Sequence, residues 1–304
     1  MPLTNQKAAM LSRFIRFVLL IQMLGGALLG WWISQQNGAP IWIMAITALL
    51  LPVCATLVTV LTGAIKSRTP GAPALWWRSV LHESGACLRI FLLQLPWSTR
   101  ALGVKLTSST PPRLPVLLVH GYLSNHRVWD AMAEQLHRAG HPVLALDLEP
   151  LFCSIEQYAA QIEQGVAELC RQTGAQQVAL VGHSMGGLAI RAWMRAMGSS
   201  QAACVITLGT PHVGTKVDLR PKTENGKQMV WHSDWLQALA ASETESGRQL
   251  MHIALSPQDN IAFPQREQVL PGVAVTVFEG RGHLELCIDD EVIQWVIEKL
   301  DEHH

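Results

Sequence analysis

Charge is missing from two long stretches near the start of this 304-residue chain: none falls between Phe17 and Ile33, and none between Ile41 and Ile65. Net charge is missing too. The 23 basic residues balance the 23 acidic ones, which removes nucleic acid from the expected partners. Among Cys54, Cys87, Cys153, Cys170, Cys204 and Cys287 there is no CxxC and no other metal-ligand spacing, so neither a metal nor a cofactor is implied. They read as thiols of a reducing compartment. No internal repeat or low-complexity tract breaks the chain, and no small-x-small cleavage site closes the first apolar run, which argues against a removable signal peptide.

What is present begins with the apolar runs themselves. The second, residues 41–65, is 25 residues long, about 37 Å as a helix and enough to cross a hydrocarbon core of about 30 Å with some tilt. Pro52 should kink it. The first, residues 17–33, is short for a span, but Arg13 and Arg16 can snorkel and lengthen it to about 14–33. Gly26 and Gly30 form a GxxxG that would let the two helices approach closely. The connector 34–40 carries the turn signals Asn37-Gly38 and Pro40 and is flanked by Trp31, Trp32 and Trp42, as at a headgroup layer. The expectation is a transmembrane helical hairpin with the bilayer as partner. Lys7, Arg13 and Arg16 precede it and Lys66 and Arg68 follow it, so both ends should lie on the cytoplasmic side.

The organisation that follows is an anchor over 1–70, a linker and juxtamembrane helix over 71–113, and a catalytic domain over 114–304. Residues 75–97 are apolar with interspersed Arg78, His82, Glu83 and Arg89, the pattern of an amphipathic helix lying on the membrane or packed against the domain. Beyond residue 113, short apolar runs at 115–120, 142–148, 178–183, 204–210, 251–256 and 274–280 alternate with helical segments at about 127–139, 155–172, 185–198, 233–250 and 289–301. Strands buried on both faces look like this. The alternation predicts an α/β class fold with a doubly wound, mostly parallel sheet of about six strands.

Chemistry concentrates at strand ends. Gly182-His183-Ser184-Met185-Gly186 is a G-x-S-x-G pentapeptide placed where a buried strand gives way to a helix. A turn that tight strains the serine backbone, needs glycine beside it, and holds the hydroxyl at a helix N-terminus. The loop after the first strand, His120-Gly121-Tyr122, would supply one oxyanion donor, the N–H of Tyr122, and Met185 the other. His120 reads as shaping that loop. A serine nucleophile needs a base and the base needs a carboxylate, in the chain order acid then histidine. Asp259 and His283 each follow a strand and answer that need, whereas Asp289 and Asp290 look like a helix N-terminus and His212 like a structural residue.

The runs VLLVHGY, GHSMGG, ITLGTPH, SPQDNIAFP and GRGHLEL resemble the bacterial triacylglycerol lipase branch of the α/β-hydrolase superfamily and its GPI-inositol-deacylase-like relatives, over about residues 114–300. The resemblance implies Ser184, Asp259 and His283 as triad and Tyr122 and Met185 as oxyanion hole. It implies a serine hydrolase acting on carboxylic esters, with a lipid or other acyl-ester substrate, here in a bacterial inner membrane. The calcium site and disulfide of the secreted lipases have no match. The insertion 212–248, with Trp231, Trp235, Leu236 and Leu239 on one apolar face, is either a lid over the serine or a helix packed permanently on the domain.

Two rival functions use the same residues differently. Thioesterase or acyl-transfer chemistry would run on the same triad; an H-x4-D acyltransferase is disfavoured because His126 and Asp130 stand one residue too close. A catalytically silent, membrane-tethered interaction protein would have no need of all three triad side chains.

Overall fold

Six short runs of aliphatic and β-branched residues become the strands β1 (Val116–Val119), β2 (Val143–Ala145), β3 (Val178–His183), β4 (Ala202–Leu208), β5 (Met251–Leu255) and β6 (Ala274–Val277). In the computed structural model, which describes residues 10–38, 40–98, 103–107, 113–217 and 223–303, they form one sheet ordered β2-β1-β3-β4-β5-β6. Every neighbouring pair is parallel. Lys7 lies outside the described residues, as do residues 99–102 and 108–112 of the polar stretch and 218–222 of the insertion.

Alternation along β1 divides the core in two. Val116 and Leu118 pack with α4 (Asp130–Arg138) and α10 (Asp290–Asp301) on one face. Leu117 and Val119 pack with α5 (Ala159–Thr173) and α6 (Met185–Met197) on the other. Burial on both faces is what continuous apolar strands require. β6 departs from that expectation: it is an edge strand whose Val275 and Val277 are exposed. Its valines satisfy a pleated backbone more than a core. The expected helix at 233–250 is also interrupted, because Ser242 closes α8 (Asp234–Ala241) and Thr244 caps α9 (Glu245–Gln249) through a bond from the N–H of Gly247. Between the sheet and α8 comes the short α7 (Glu224–Gln228).

The two uncharged runs are the long helices α1 (Met10–Asn37) and α2 (Ile43–Lys66), of 28 and 24 residues. A Cβ placed on Gly26 would come within 2.8 Å of the Ala48 Cα, and one on Gly30 within 2.6 Å of the Met44 Cα, so the GxxxG face is a real contact between them. Outside that seam the pair is apolar and uncovered, from Phe17 and Leu24 to Leu49 and Val58. The roots of the pair are held differently. Leu11 and Val60 belong to the core on the α4 and α10 face of the sheet, and the Ser12 hydroxyl donates to the Leu95 carbonyl at 2.7 Å. The tryptophans 31, 32 and 42 lie at the far, exposed tip.

α3 (Pro73–Leu88) continues into a π-helical turn at Arg89–Gln94 and a 3-10 turn at Leu95–Trp97. Of the two sequence-based options, it realises packing against the domain. Val80, Glu83, Cys87 and Ile90 are buried against the sheet-bearing domain, while Trp77, Leu81, Leu93 and Trp97 are exposed on the other side.

In an open parallel sheet, ligands bind outside the carboxyl ends of the strands where the order reverses. Here that is the crevice between β1 and β3, and the roots of α1 and α2 stand over it. At the opposite end of the strands, Cys204, His252 and His303 come within 4.8 Å of one another, a grouping that spacing did not suggest.

Candidate active site

β3 stops at His183 and α6 starts at Met185, leaving Ser184 alone to turn the chain. It does so at φ +54° and ψ −127°, a left-handed region that costs a non-glycine residue about 1–3 kcal/mol. The glycines beside it are steric necessities. A Cβ on Gly182 would stand 2.6 Å from the Gly187 nitrogen, and one on Gly186 would stand 2.7 Å from the His120 carbonyl oxygen. The Ser184 N–H donates to the Leu208 carbonyl at 2.9 Å, which ties the turn to β4.

The loop after β1 lies directly against this turn, since a Cβ on Gly121 would be 2.8 Å from that of Ser184. His120 shapes the loop as expected: its Nδ1 donates to the Gly121 carbonyl at 2.8 Å and its Nε2 accepts from the Leu148 N–H at 2.9 Å. Burial keeps its pKa low. Among the described residues, turn and cap hydrogen bonds leave the N–H groups of Tyr122 and Met185 unspent. They are the pair predicted to hold an oxyanion.

Asp259 follows β5 and His283 follows β6, and the two meet. His283 Nδ1 donates to Asp259 Oδ2 at 2.7 Å. The other carboxylate oxygen accepts the N–H of Ile261 at 2.7 Å and of Ala262 at 2.8 Å, so the acid is fixed in place. Burial alone would lower the pKa of His283. The charge of Asp259 and the hydrogen bond to it win, and hold the imidazole above its ordinary 6.5. With Nδ1 committed, Nε2 is left with the lone pair that a base requires. His183 sits beneath, its ring 4.6 Å from that of His283, and donates through Nε2 to the His283 carbonyl at 3.0 Å. Burial first, then the charge of His283, push its pKa far down, so it supports the site as a neutral ring.

Ser184, His283 and Tyr122 line a single cavity of about 330 Å³. Thus all five predicted residues gather at one sheet edge. A second buried imidazole–carboxylate pair, His126 with Asp147 at 2.9 Å, does not border this cavity, and His212 is spent on Arg191 and Thr207. Asp289 caps α10, as its position suggested. Of the insertion, Thr215, Val217 and Met229 border the cavity, while Leu236 of α8 packs in the same core as α6.

Sequence reading passed over one member. Glu83 of α3 is 2% exposed and lines the cavity. Its two carboxyl oxygens accept the N–H groups of Leu284 and Glu285, each at 3.0 Å, and so grip the loop that carries His283. Gly282 makes room, because a Cβ there would stand 2.7 Å from the Glu83 Cδ. The signal was legible in principle: Glu83 is an acid on the apolar side of an amphipathic helix, in register with Val80, Cys87 and Ile90. Burial raises its pKa to about 7, against the opposing pull of those two N–H groups and of His283.

A titration follows from that shift. Between about 4.5 and about 7 the folded protein keeps a proton on Glu83 that the unfolded chain releases. The wild type therefore loses stability relative to Glu83→Gln as pH rises through that window, by up to about 3 kcal/mol. Unfolding midpoints of the two proteins at pH 5 and pH 8 check this; an unchanged gap between them would mean an ordinary carboxyl.

The chain has the α/β-hydrolase fold, and residues 115–249 match the family described as alpha/beta hydrolase fold. It is 29% identical over 165 residues to a triacylglycerol lipase of Burkholderia plantarii, covering 50% of this chain and 43% of that protein. It is 33% identical over 116 residues to a triacylglycerol lipase of Pseudarthrobacter phenanthrenivorans, covering 34% and 35%. The chain thus spans less than half the length of these curated relatives. Among solved structures, the mature Bacillus licheniformis lipase BlEst2 superposes with a TM-score of 0.55 at 17% identity, over 62% of this chain and 93% of that one.

Proposed function

We propose that the protein is a membrane-anchored serine hydrolase that cleaves carboxylic esters of acyl-chain substrates. The observation that carries this reading is the 2.7 Å contact between His283 Nδ1 and Asp259, with Ser184 facing the same cavity. Ser184 Oγ attacks the ester carbonyl while His283 Nε2 takes its proton, and Asp259 stabilises the imidazolium that forms. The oxyanion is received by the N–H groups of Tyr122 and Met185. His283 then returns the proton to the departing alcohol, leaving an acyl group on Ser184. Water, deprotonated by the same imidazole, releases the acid and restores the serine.

Residues 1–70 are the anchor, 71–113 the juxtamembrane segment and 114–304 the catalytic domain. The uncovered apolar flanks of α1 and α2, the tryptophans at their tip, and Arg13, Arg16, Lys66 and Arg68 at their roots support an inner-membrane hairpin with the catalytic domain in the cytoplasm. Detergent-solubilised wild type should take a fluorophosphonate label and hydrolyse nitrophenyl esters. Folded protein that takes no label overturns the reading in favour of an interaction protein, and faster turnover of acyl-CoA redirects it to a thioesterase. A reporter fused to the C-terminus should read cytoplasmic; a periplasmic signal would reverse the orientation.

A further inference from the structure

The cavity at Ser184 does not end at the hydrolase. Thr59, Val60, Cys87, Phe91 and Leu123 border it and equally border a second cavity of about 270 Å³, so the two lie back to back across one wall of side chains. The outer one lies between the long helices, against Phe14, Val18 and Leu19 of α1 and Ala55 and Thr56 of α2. The hydroxyls of Thr56 and Thr59 donate to carbonyls one turn back, at 2.9 Å each, so their donors are spent within the helix. Phe14, 44% exposed, stands where this cleft reaches the uncovered side of the helix pair. Each cavity is near the lower end of the range that holds small ligands, about 300–1,000 Å³. Only that wall stands between the nucleophile and the uncovered side of α1 and α2; with its side chains turned aside, the two cavities would make one apolar slot.

We propose that this slot is the acyl-chain site, built by the anchor helices themselves, and that it admits the long acyl chain of a membrane-resident ester directly from the bilayer. The inference rests on the serine-hydrolase reading above. It adds that α1 and α2 are part of the substrate site and that the substrate class is long-chain lipid esters, not short soluble ones. A long chain in this slot never crosses water between lipid and serine, and each methylene buried there stabilises the complex.

The test uses the full-length wild type in lipid nanodiscs. A hexadecyl fluorophosphonate with a diazirine at the far end of its chain is allowed to label the protein, irradiated, digested and mapped by mass spectrometry. Adducts on Ser184 that cross-link to residues 11–22, 55–60 or 91–92 are expected. Cross-links into 212–248, or a labelled serine whose chain cross-links to no protein segment, overturn the slot and leave the hydrolase reading standing. Absence of any adduct on Ser184 overturns both. A second measurement fills the outer cleft: Val18→Trp should lower the kcat/KM ratio of hexadecanoyl over acetyl nitrophenyl esters at least tenfold, and an unchanged ratio in protein that still takes label would refute the slot.

Discussion

Replacing Ser184 with alanine should lower kcat by about 10⁶-fold, as when a nucleophile is removed from a comparable triad, with KM nearly unchanged. That is about 8 kcal/mol of barrier. The loss is large because the serine supplies the bond-forming atom, and nothing else at the elbow can. Alanine keeps the positive φ, so backbone strain is shared by both proteins and cancels in the comparison. Burst kinetics with a nitrophenyl ester give the number directly. A variant retaining more than about one hundredth of the wild-type rate would mean that another group attacks the ester.

Asp259→Asn comes next, at about 10⁴-fold in kcat, the figure for the equivalent change in a serine protease triad. Asn can turn its NH₂ toward His283 and force the wrong tautomer, which puts the proton on the nitrogen that should be the base. The pH profile carries an independent mark. In the wild type the working form is the free imidazole, so activity rises with pH through a pKa that Asp259 holds above 6.5. With the charge gone, burial is left as the main influence, and the acid limb of kcat/KM moves to lower pH even as the plateau falls. The same bookkeeping gives the stability sign. The raised pKa of His283 contributes stability that is complete below its unfolded value and fades as pH climbs past the folded one. An acid limb that stays in place would show that Asp259 does not set the basicity of His283.

The elements that local rules govern were open to reading from the chain alone. Each of the six strands and the Ser184 turn carries its own cause nearby: aliphatic runs for the sheet, and glycines at 182 and 186 for the elbow. Asp259 and His283 were reachable because strand ends on one edge of a parallel sheet must be neighbours. Glu83 was not found, because its role depends on a packing that joins residues 201 positions apart. The course of residues 75–97 escaped for a similar reason. A π turn at Arg89–Gln94 re-aims the chain, and its sequence, RIFLLQ, reads as ordinary helix. β6 looked like a core strand because valine serves an exposed pleat as well as a buried one.

One amide carries a wider meaning. The Gln265 side chain donates both to the carbonyl of Ser67, where α2 ends, and to the carbonyl of Asp259, at 2.9 and 2.7 Å. A single NH₂ group thereby fastens the last turn of the second long helix to the backbone of the acid. An enzyme wired in this way works at a fixed height: on the reading proposed above, its nucleophile can neither rise off the headgroup layer nor sink below it. On that same reading, its encounters with substrate become a search in two dimensions, confined to molecules drifting through its own leaflet, and its rate answers to their surface density, not to any bulk concentration.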